Sequence, residues 1–480
     1  MTTALEEFRK ICAVPRRSYH NEKIIDYCIK RAEELGLFVF YDEKNGNVLI
    51  RKDAAPGMEE KPGVVLQGHL DMVEQTAPGV AHDWDNEGIE LIEEGDILTA
   101  NGTTLGADDG VAPAIAFALL ADETLKNPPL EVLLTTDEEV GMISVREADL
   151  SYLNGKYLFN LDSGGDDSFV NGCCGGETVC VWMPKQKEEA EGAAYTISVS
   201  GLNGGHSGIE IGMEKANALK VMGEVLHDIG EIYEFRITDL RAGGKDNAIS
   251  KAAELDLIIP SSHYTSDMAQ IVKKTEERLR KIYRRCDKNL TVSLETRGNC
   301  RISPERNSFD KTSSKGLAFL LYQLPFGVLH HDQSLDGSIE TSCNLGLVLH
   351  EEDRLGIVVS IRSSVEERRK EVSEHIASLA EIVGAEFSVT EKAYPAWLPD
   401  PDSPLIDIFS EMYRKMYNKE AKIGPVHAGL ECGYILKNSG LEAALAFGPE
   451  IHGEHTTDES LSISSLQKTF EFVKAVLESL

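Results

Sequence analysis

Apolar and polar positions follow two different patterns along this chain. In the first part, apolar residues at every third or fourth position predict amphipathic helices, and short continuous apolar runs predict buried strands. The predicted helices span residues 5–14, 24–35 and 111–121, and the predicted strands span residues 64–66, 132–136 and 157–161. Strands that alternate with helices indicate an α/β fold whose sheet is covered by helices on both faces.

A second pattern begins at residues 195–200, where apolar and polar residues alternate. Such alternation is typical of an antiparallel strand with one exposed face. Similar strands are predicted at residues 255–259, 290–294, 346–349 and 356–361, and a helix is predicted at residues 365–383. Ser364 and Glu367 have the spacing of a capping box for that helix, and Gly384 is placed to end it. The middle of the chain is therefore predicted to be an α+β domain.

Two segments indicate domain boundaries. A charged run at residues 186–192 resembles a linker, and four prolines within residues 394–404 interrupt regular structure. Helix–strand alternation then returns. We therefore predict a catalytic α/β domain formed by residues 1–184 and 396–480, interrupted by an inserted α+β domain formed by residues 185–395. A length of 480 residues also favours two domains over one core.

The charge of the chain narrows the classes of partner. The formal net charge is -32 at pH 7, and a surface this acidic repels nucleic acid and anionic membranes. No apolar run approaches the roughly 20 residues that a membrane helix needs. Thr3 and Glu6 have capping-box spacing and predict an N-terminal helix in place of a secretion signal. A cytoplasmic location is therefore expected.

The cysteines do not form a recognisable metal or disulfide motif. There are nine, with no C-x-x-C pair, and Cys173 and Cys174 are adjacent. Buried thiols in a reducing compartment are the preferred interpretation. Histidine and carboxylate side chains would therefore have to hold any metal ion.

His69 and Asp71 follow the first predicted buried strand. Residues two apart on a strand share a face, so the two side chains can lie next to each other. A carboxylate beside a metal-binding histidine is the usual support that orients the imidazole. The alternative is a histidine at a strand end with a chance neighbour.

Asp108 and Asp109 lie between glycines, just before the predicted helix at residues 111–121. Buried acids are costly unless they are paired with cations, and one carboxylate has two oxygens with which to bridge two metal ions. The alternative is that Asp109 simply caps the helix.

Asp137, Glu138 and Glu139 stand at the end of the predicted strand at residues 132–136. Functional sites in open α/β sheets gather at the carboxyl ends of strands. Consecutive residues can face different ways, so one glutamate can bind metal while the other acts as a general base for water. The alternative is a solvated turn.

Two further candidates complete the set. Asp162 follows the predicted strand at residues 157–161. His455 lies in the last part of the chain, and His452 is the alternative to it as a metal ligand. Two histidines and three carboxylates are a suitable ligand set for a pair of zinc ions.

The order of these motifs resembles the di-zinc aminoacyl-histidine dipeptidases, a carnosinase-like family also called peptidase D. The motifs are G-H-L-D-M-V at 68–73, G-A-D-D-G at 106–110, D-E-E-V-G-M at 137–142, D-S at 162–163 and H-T-T-D-E at 455–459. Segments 201–208, 243–249, 360–364 and 427–433 extend the resemblance over nearly the whole chain. The resemblance implies a zinc-peptidase-like three-layer sandwich interrupted by a lid domain.

The resemblance also implies a ligand set. His69 and Asp162 would hold one metal ion, and Glu139 and His455 would hold the other. Asp108 would bridge the two together with a water molecule. The implied ions are two Zn²⁺, although Mn²⁺ or Co²⁺ would accept the same ligands.

Two other residues near the ligands receive roles from the resemblance. Asp71 would orient His69. Glu138 would take a proton from the bridging water and pass it to the leaving amine. The family pattern further implies a cis peptide bond between Asp108 and Asp109.

The substrate contacts are implied in the same way. His206 would stabilise the developing oxyanion, either on lid closure or across a dimer. Asn247, Arg362 and Gly429 would contact the substrate, with the planar Arg362 suited to a carboxylate. The alternatives are a surface turn for His206 and a structural salt bridge for Arg362.

The expected activity is the hydrolysis of dipeptides, either of the Xaa-His or β-Ala-His type or over a broader range. A homodimer formed through the inserted domain is also expected. The alternatives within the same chemistry are an N-acyl amino acid amidohydrolase and a carboxypeptidase. An alternative from another class is a non-catalytic protein that binds peptides or metal ions.

Overall fold

The chain forms two compact units in a computed structural model that describes residues 3–185, 188–260, 267–302, 309–333, 335 and 337–480. The first unit comprises Met1–Cys173, Trp397–Val426 and Leu430–Leu480. The second comprises Cys174–Ala396 and His427–Gly429.

The helices and strands fall into three stretches of the chain. The first stretch contains α1 (Ala4–Cys12), α2 (Glu22–Glu34), β1 (Phe38–Asp42), β2 (Asn47–Lys52), β3 (Val64–His69), β4 (Leu91–Glu94), β5 (Ile97–Ala100), α3 (Ala107–Leu120), β6 (Leu130–Thr135), α4 (Ile143–Arg146), β7 (Tyr157–Asn160) and β8 (Ser168–Cys173). The middle stretch contains β9 (Gly175–Pro184), β10 (Ala190–Ser200), β11 (Gly205–His206), α5 (Ala218–Gly230), β12 (Arg236–Ala242), β13 (Ala248–Ile249), β14 (Ala253–Pro260), α6 (Met268–Ile282), β15 (Thr291–Ile302), α7 (Lys311–Gln323), β16 (Gly327–His331), β17 (Ile339–His350), β18 (Arg354–Ser363), α8 (Glu366–Ile382) and β19 (Glu386–Tyr394). The last stretch contains α9 (Pro404–Tyr417), β20 (Lys422–Val426), α10 (Cys432–Asn438), β21 (Ala443–Ala446), β22 (Ile451–His452), β23 (Ser460–Ser462) and α11 (Ile463–Ser479).

The first unit is built on an eight-stranded sheet in the order β1-β2-β6-β3-β7-β21-β8-β20. Strand β3 lies between β6 and β7 and is parallel to both. Every residue of β3 and of β6 is buried, as expected where helices cover both faces of a parallel sheet. Residues of α1, α2, α3, α9 and α11 share one hydrophobic core with these strands. The predicted α/β fold is confirmed.

The start of α3 differs from a simple helix. Asp108 and Asp109 have non-helical backbone angles, so the regular helix begins after them. The peptide bond between these two residues is cis, as the resemblance implied. Thr3 forms the predicted capping box with Glu6 at the start of α1.

The second unit contains two larger sheets and four longer helices in its described part. Their strand orders are β12-β14-β10-β15 and β16-β17-β18-β9-β19. Both sheets contribute to one core with α5, α6, α7 and α8. Antiparallel strands with helices between them agree with the α+β class predicted for the inserted domain.

Several details differ from the sequence predictions. Residue 396 and residues 427–429 were predicted in the first domain, but they belong to the second unit. The first segment of the first domain was predicted to reach residue 184, but the first segment of the compact unit ends at Cys173. The reason is that β9 pairs with β18 and β19 of the second unit.

The predicted cap Ser364 is not the N-cap of α8. Val365 takes that position and makes no side-chain cap, so the capping-box prediction is wrong. Gly384 follows the helix end with a φ of 72°, as predicted.

The charged run at residues 186–192 was predicted as a linker between domains, but it falls within the second unit, and its residues 190–192 belong to the start of β10. Its residues Gln186 and Lys187 lie outside the described residues. Over the described part of the chain, no helix has the length and hydropathy required to span a membrane.

Candidate metal centre

Asp108 stands at the centre of the predicted ligand cluster in the first unit. Its Oδ1 lies 3.1 Å from Nε2 of His69, and its Oδ2 lies 3.2 Å from Nε2 of His455. The two oxygens of one carboxylate therefore face two different imidazoles. This is the arrangement that a carboxylate bridging two cations requires.

Each histidine has a second acidic neighbour. Nε2 of His69 is 3.9 Å from Oδ1 of Asp162, and Nε2 of His455 is 2.9 Å from Oε2 of Glu139. The five predicted ligands thus form two overlapping groups, His69–Asp108–Asp162 and Asp108–Glu139–His455. The ligand atoms within each group lie within 4.8 Å of one another. His452, the rival of His455, is exposed and belongs to neither group.

The sheet explains why these residues meet. His69 is the last residue of β3, Glu139 follows β6, and Asp162 follows β7. These strands are parallel neighbours, so their carboxyl ends share one edge of the sheet. His455 follows β22 in the last stretch of the chain and has a left-handed backbone, with a φ of 61°.

The electrostatics of the cluster favour bound positive charge. Burial alone would lower the pKa of His69, but its hydrogen bonds to Asp108 and Asp71 raise that pKa well above its usual value. Burial also opposes a raised pKa at His455, yet the carboxylates of Asp108 and Glu139 raise it to about 11. The acidic groups therefore attract a cation, whether a proton or a metal ion.

The ligand set fits a pair of divalent metal ions. Oε1 of Glu139 is buried and has no hydrogen-bond partner among the described residues. A buried carboxylate oxygen without a donor is costly unless a cation compensates it. Imidazole nitrogens and carboxylate oxygens are the donors that zinc, manganese and cobalt accept.

Asp71 holds several parts of the site together. Its backbone oxygen lies 3.1 Å from Nδ1 of His69, and its Oδ1 lies 3.4 Å from the same nitrogen. Its carboxylate also accepts the backbone N–H groups of Glu138 at 3.0 Å and Glu139 at 3.3 Å. The hydroxyl of Ser18 donates to it at 2.8 Å. Asp71 can therefore orient the imidazole and fix the turn that carries both glutamates.

Glu138 and Glu139 have different surroundings, as their adjacency predicted. Glu139 contacts His455, whereas Glu138 belongs to neither ligand group. Burial raises the pKa of Glu138 well above its usual value, and the nearby Asp162 and Glu139 raise it further. A carboxylate that holds a proton readily is suited to general acid–base chemistry.

The backbone of the site is tightly packed at Gly68. A Cβ at this position would lie 2.2 Å from both Asp109 Oδ2 and the Cβ of Ala112. The close approach lets Asp109 accept the backbone N–H of His69 at 3.0 Å. Asp109 therefore supports the strand end, while Asp108 faces the histidines.

The second unit contains the predicted substrate residues His206, Asn247, Arg362 and Gly429. His206 accepts the backbone N–H groups of Gly208 at 3.1 Å and Ile209 at 3.0 Å through Nδ1. A neutral imidazole that accepts at Nδ1 carries its proton at Nε2. His206 and Arg362 both border Gly208, where a Cβ would lie 3.1 Å from His206 Cε1 and 3.3 Å from Arg362 Nε.

Arg362 is a buried guanidinium. It donates to the hydroxyl of Tyr394 at 2.8 Å, and its Nε has no hydrogen-bond partner among the described residues. No carboxylate within the described part of the chain forms a salt bridge with it. The predicted alternative of a structural salt bridge for Arg362 is therefore not observed there.

Asn247 and Gly429 are the remaining predicted substrate residues of the second unit. The carbonyl of Asn247 accepts the N–H of Ser207 at 2.8 Å, which ties this residue to the segment that carries His206. Gly429 lies in the short segment His427–Gly429 of the second unit.

Several buried charged residues were not among the predicted site residues. Glu431 accepts hydrogen bonds from Gln67 and Thr135, both at 2.6 Å. Glu459 accepts four backbone N–H groups from residues 105–108. Arg16 donates to the carbonyls of Leu70 and Asp71. Glu431 and Glu459 both lie in the sequence motifs that carried the family resemblance. Their place in those motifs is the signal that could have identified them.

Comparisons with known proteins agree with this geometry. The model of peptidase family M20/M25/M40 matches residues 65–479. The chain is 34% identical over 478 residues to the cytosol non-specific dipeptidase of Escherichia coli strain K12, covering 98% of this chain and 96% of that protein. It matches the crystal structure of aminoacylhistidine dipeptidase from Vibrio alginolyticus with a TM-score of 0.82 and 32% identity, covering 99% and 96% of the two chains.

A more distant structure shares the fold. The aminopeptidase PepT from Bacillus cereus ATCC 10987 matches with a TM-score of 0.55 and 15% identity, covering 99% of this chain and 97% of that one. The chain belongs to peptidase family M20/M25/M40, and it is a peptide-bond hydrolase.

Proposed function

We propose that this protein is a dipeptidase that depends on two divalent metal ions. The observation that carries the proposal is Asp108, whose two oxygens face His69 and His455 separately. The similarity to the E. coli dipeptidase over 98% of the chain supports the substrate class.

The ions would be held by His69, Asp108 and Asp162 on one side and by Asp108, Glu139 and His455 on the other. When bound, such ions polarise a substrate carbonyl and lower the pKa of water toward neutrality. Zn²⁺ is the proposed metal, with Mn²⁺ and Co²⁺ as alternatives that share its ligands.

Glu138 is the proposed general base. It takes a proton from the attacking water and later passes that proton to the leaving amine. Its backbone N–H is fixed by Asp71 at 3.0 Å, and its raised pKa suits a group that must hold a proton between two steps. Asp71 in turn orients His69 through contacts on the Nδ1 side of the ring.

His206 is the proposed donor to the oxyanion that forms on the substrate carbonyl. Its Nδ1 accepts two backbone N–H groups, so its Nε2 is left as the protonated nitrogen. A fixed N–H aimed at developing negative charge stabilises the transition state without reorganisation.

Arg362 is proposed to bind the C-terminal carboxylate of the dipeptide. Its buried Nε lacks a partner among the described residues, and a guanidinium pairs with carboxylate through two parallel hydrogen bonds. Asn247 and Gly429 are proposed to contact the peptide backbone.

The finer features are also proposals. The two well-matched relatives are named for different ranges, a non-specific dipeptidase and an aminoacylhistidine dipeptidase, so hydrolysis of Xaa-His within a broader range is proposed. We further propose a cytoplasmic location, no binding to nucleic acid or membranes, and a homodimer through the second unit, which would act as a lid.

A substrate panel tests the proposal. Protein stripped of metal ions is supplied with zinc, manganese or cobalt and assayed on β-Ala-His, Gly-Leu and N-acyl amino acids. We expect metal-dependent release of amino acids from the free dipeptides. In the folded Glu138→Gln protein the rate should fall by about 10²–10⁴-fold, because the proton acceptor is lost.

Each other result would change the conclusion. Cleavage of N-acyl amino acids alone would indicate an amidohydrolase. Inactivity on both classes with every metal would contradict the proposed catalysis and leave a binding protein. Full activity of Glu138→Gln would exclude Glu138 as the base.

A further inference from the structure

Glu459 is a buried carboxylate that the proposed mechanism does not use. Its side chain is 2% exposed. Oε2 accepts the backbone N–H groups of Leu105 and Gly106, both at 2.8 Å, and Oε1 accepts those of Ala107 at 2.8 Å and Asp108 at 3.2 Å. Four consecutive backbone donors therefore converge on one side chain.

The local backbone makes this convergence possible. Successive N–H groups in a chain that passes through a left-handed residue form a concave site for an anion. Gly106 supplies that conformation, with a φ of 69°. A Cβ there would also lie 2.5 Å from Arg16 and 2.8 Å from the sulfur of Met72, so glycine suits this position in both backbone angle and space.

The buried guanidinium of Arg16 also contacts the segment of residues 105–108, at the backbone carbonyl of Gly106. Arg16, only 2% exposed, donates to the backbone oxygens of Leu70 at 3.0 Å and Asp71 at 3.1 Å, and also to that of Gly106. The segment that carries Asp108 is thus fixed to the end of β3, next to His69, and to Glu459.

Glu459 also belongs to the segment of the other histidine ligand. It lies four residues after His455 in the same stretch between β22 and β23. Its four hydrogen bonds therefore join the backbone of Asp108 to the segment that presents His455. Asp108 and His455 both belong to the second ligand group, and Asp108 Oδ2 lies 3.2 Å from His455 Nε2.

We propose that Glu459 is a positioning residue that fixes Asp108 relative to His455 and so sets the affinity for the metal ions. The inference rests on the proposed metal centre. Glu459 does not bind the metal itself. It acts through the backbone of residues 105–108, and it requires an acceptor at both of its oxygens.

The need for two acceptor oxygens distinguishes a positioning role of Glu459 from a role in which its side chain only fills space. Glutamine has nearly the same shape as glutamate, but it replaces one acceptor oxygen with an N–H₂ donor. In Glu459→Gln that donor would face two backbone N–H groups. A side chain that only fills space would tolerate glutamine, whereas the proposed role would not.

The test measures metal binding directly in the full chain. Zn²⁺ is titrated into metal-free wild type, Glu459→Gln and the control Asp458→Asn, in competition with a chromogenic chelator. Asp458 is the exposed neighbour. We expect zinc affinity to fall about 10–100-fold in Glu459→Gln, the range seen when groups that support ligands are lost. Asp458→Asn should bind zinc as the wild type does.

The visible absorption of the Co²⁺-loaded proteins is a second readout, because it reports ligand geometry independently of turnover. We expect altered bands in Glu459→Gln and unchanged bands in Asp458→Asn. Wild-type zinc affinity and an unchanged Co²⁺ spectrum in Glu459→Gln would overturn the proposal. Failure of the wild type itself to bind two zinc ions would instead overturn the proposed metal centre.

Circular dichroism shows whether Glu459→Gln folds. If it does not fold, Glu459→Asp replaces it, because aspartate keeps both oxygens and the charge but is one methylene too short to reach all four donors. About tenfold weaker zinc binding is then expected, near the lower limit for lost ligand support. Wild-type affinity in Glu459→Asp would overturn the proposal.

Discussion

At the scale of single residues, buried polar side chains near the proposed site differ in whether their atoms have hydrogen-bond partners. Asp71 has donors for both of its carboxylate oxygens, and it serves as a fixed support. Oε1 of Glu139 and Nε of Arg362 are buried without a hydrogen-bond partner in the described ranges. Such atoms are costly unless a ligand satisfies them. A metal ion at Glu139 and a substrate carboxylate at Arg362 would satisfy these two atoms.

Arg362→Met tests the carboxylate assignment. We expect kcat/KM for dipeptides to fall by about 10–100-fold, since a hydrogen bond to a charged group contributes about 1.5–3 kcal/mol. Dipeptide amides lack the carboxylate, so their hydrolysis should change little. The control Arg368→Met removes a more exposed arginine of α8 whose partners are Glu340 and Glu371. Equal losses on dipeptides and their amides would contradict the assignment.

The sequence offered candidates for the metal site, but it did not indicate that Glu459 would contact the backbone of residues 105–108. The five proposed ligands, Asp71 and Glu138 lie at strand ends or in acidic motifs, which made them candidates, and the family resemblance implied their roles. The contacts of Glu459 with residues 105–108 span more than 350 positions. Nothing local in the sequence encodes such a pairing, because it depends on how distant segments fold together.

At the scale of elements, a layer of buried polar side chains joins the three strands that end at the site. Asn160 of β7 donates to Gln67 of β3 at 2.6 Å. Gln67 and Thr135 of β6 both donate to Glu431, each at 2.6 Å. All four residues are at most 1% exposed. The apolar patterns predicted these strands but gave no reason to expect polar bonds between them.

Gln67→Leu should destabilise the first unit by about 1–3 kcal/mol, because Asn160 and Glu431 would each lose a buried partner. Urea denaturation of the metal-free protein measures the change. The control Gln75→Leu alters an exposed side chain and should shift the unfolding free energy by no more than about 0.5 kcal/mol. Equal stability of the two variants would show that the buried layer contributes little.

In the second unit, Lys220 of α5 joins two helices. Its ammonium donates to the carbonyl oxygens of Tyr322 at 2.6 Å and Leu324 at 2.7 Å, at the end of α7. Burial lowers the pKa of Lys220 to about 8, against an ordinary value of 10.5. The folded protein therefore releases this proton at a lower pH than the unfolded chain does.

The pH dependence of stability follows from that difference. Between about 8 and 10.5, the unfolded chain binds more protons at this site, so the contribution of Lys220 to the unfolding free energy rises with pH. We expect the wild type to gain stability relative to Lys220→Met across that window. Denaturant unfolding at several pH values measures the difference, with the exposed Lys251→Met as control. A difference that is flat with pH would contradict the assigned pKa.

At the scale of the whole molecule, the acidity of the chain and its discontinuous first unit matter most. The net charge is -32, and a concentration of carboxylates at one edge of a sheet adds local repulsion. Cations that bind only the folded state relieve that repulsion. Sequence patterns predicted the interruption of the first unit, but they placed its first boundary eleven residues late, after residue 184 where the unit ends at Cys173. Strand β9 has no feature that reveals which sheet it joins.

Metal removal should therefore lower the thermal stability of the protein. An ion at about 100 times its dissociation constant stabilises the native state by about 2.7 kcal/mol. Scanning calorimetry of chelator-treated protein, with and without added Zn²⁺, measures the shift in Tm. Asp108→Asn should lose most of the zinc-dependent shift, because this residue belongs to both ligand groups. A Tm that does not respond to zinc in the wild type would contradict the metal centre.

The discontinuity of the first unit also sets an order of events during biosynthesis. The chain passes Asp162 before the second unit is made and reaches His455 only after it. A nascent chain on the ribosome thus carries the residues of one ligand group early, but His455 and the Glu459 that accepts the backbone N–H of Asp108 are added only with the last stretch. Hydrolytic activity would then arise only once synthesis is nearly finished, so an incomplete chain could not act on the peptides of the cell.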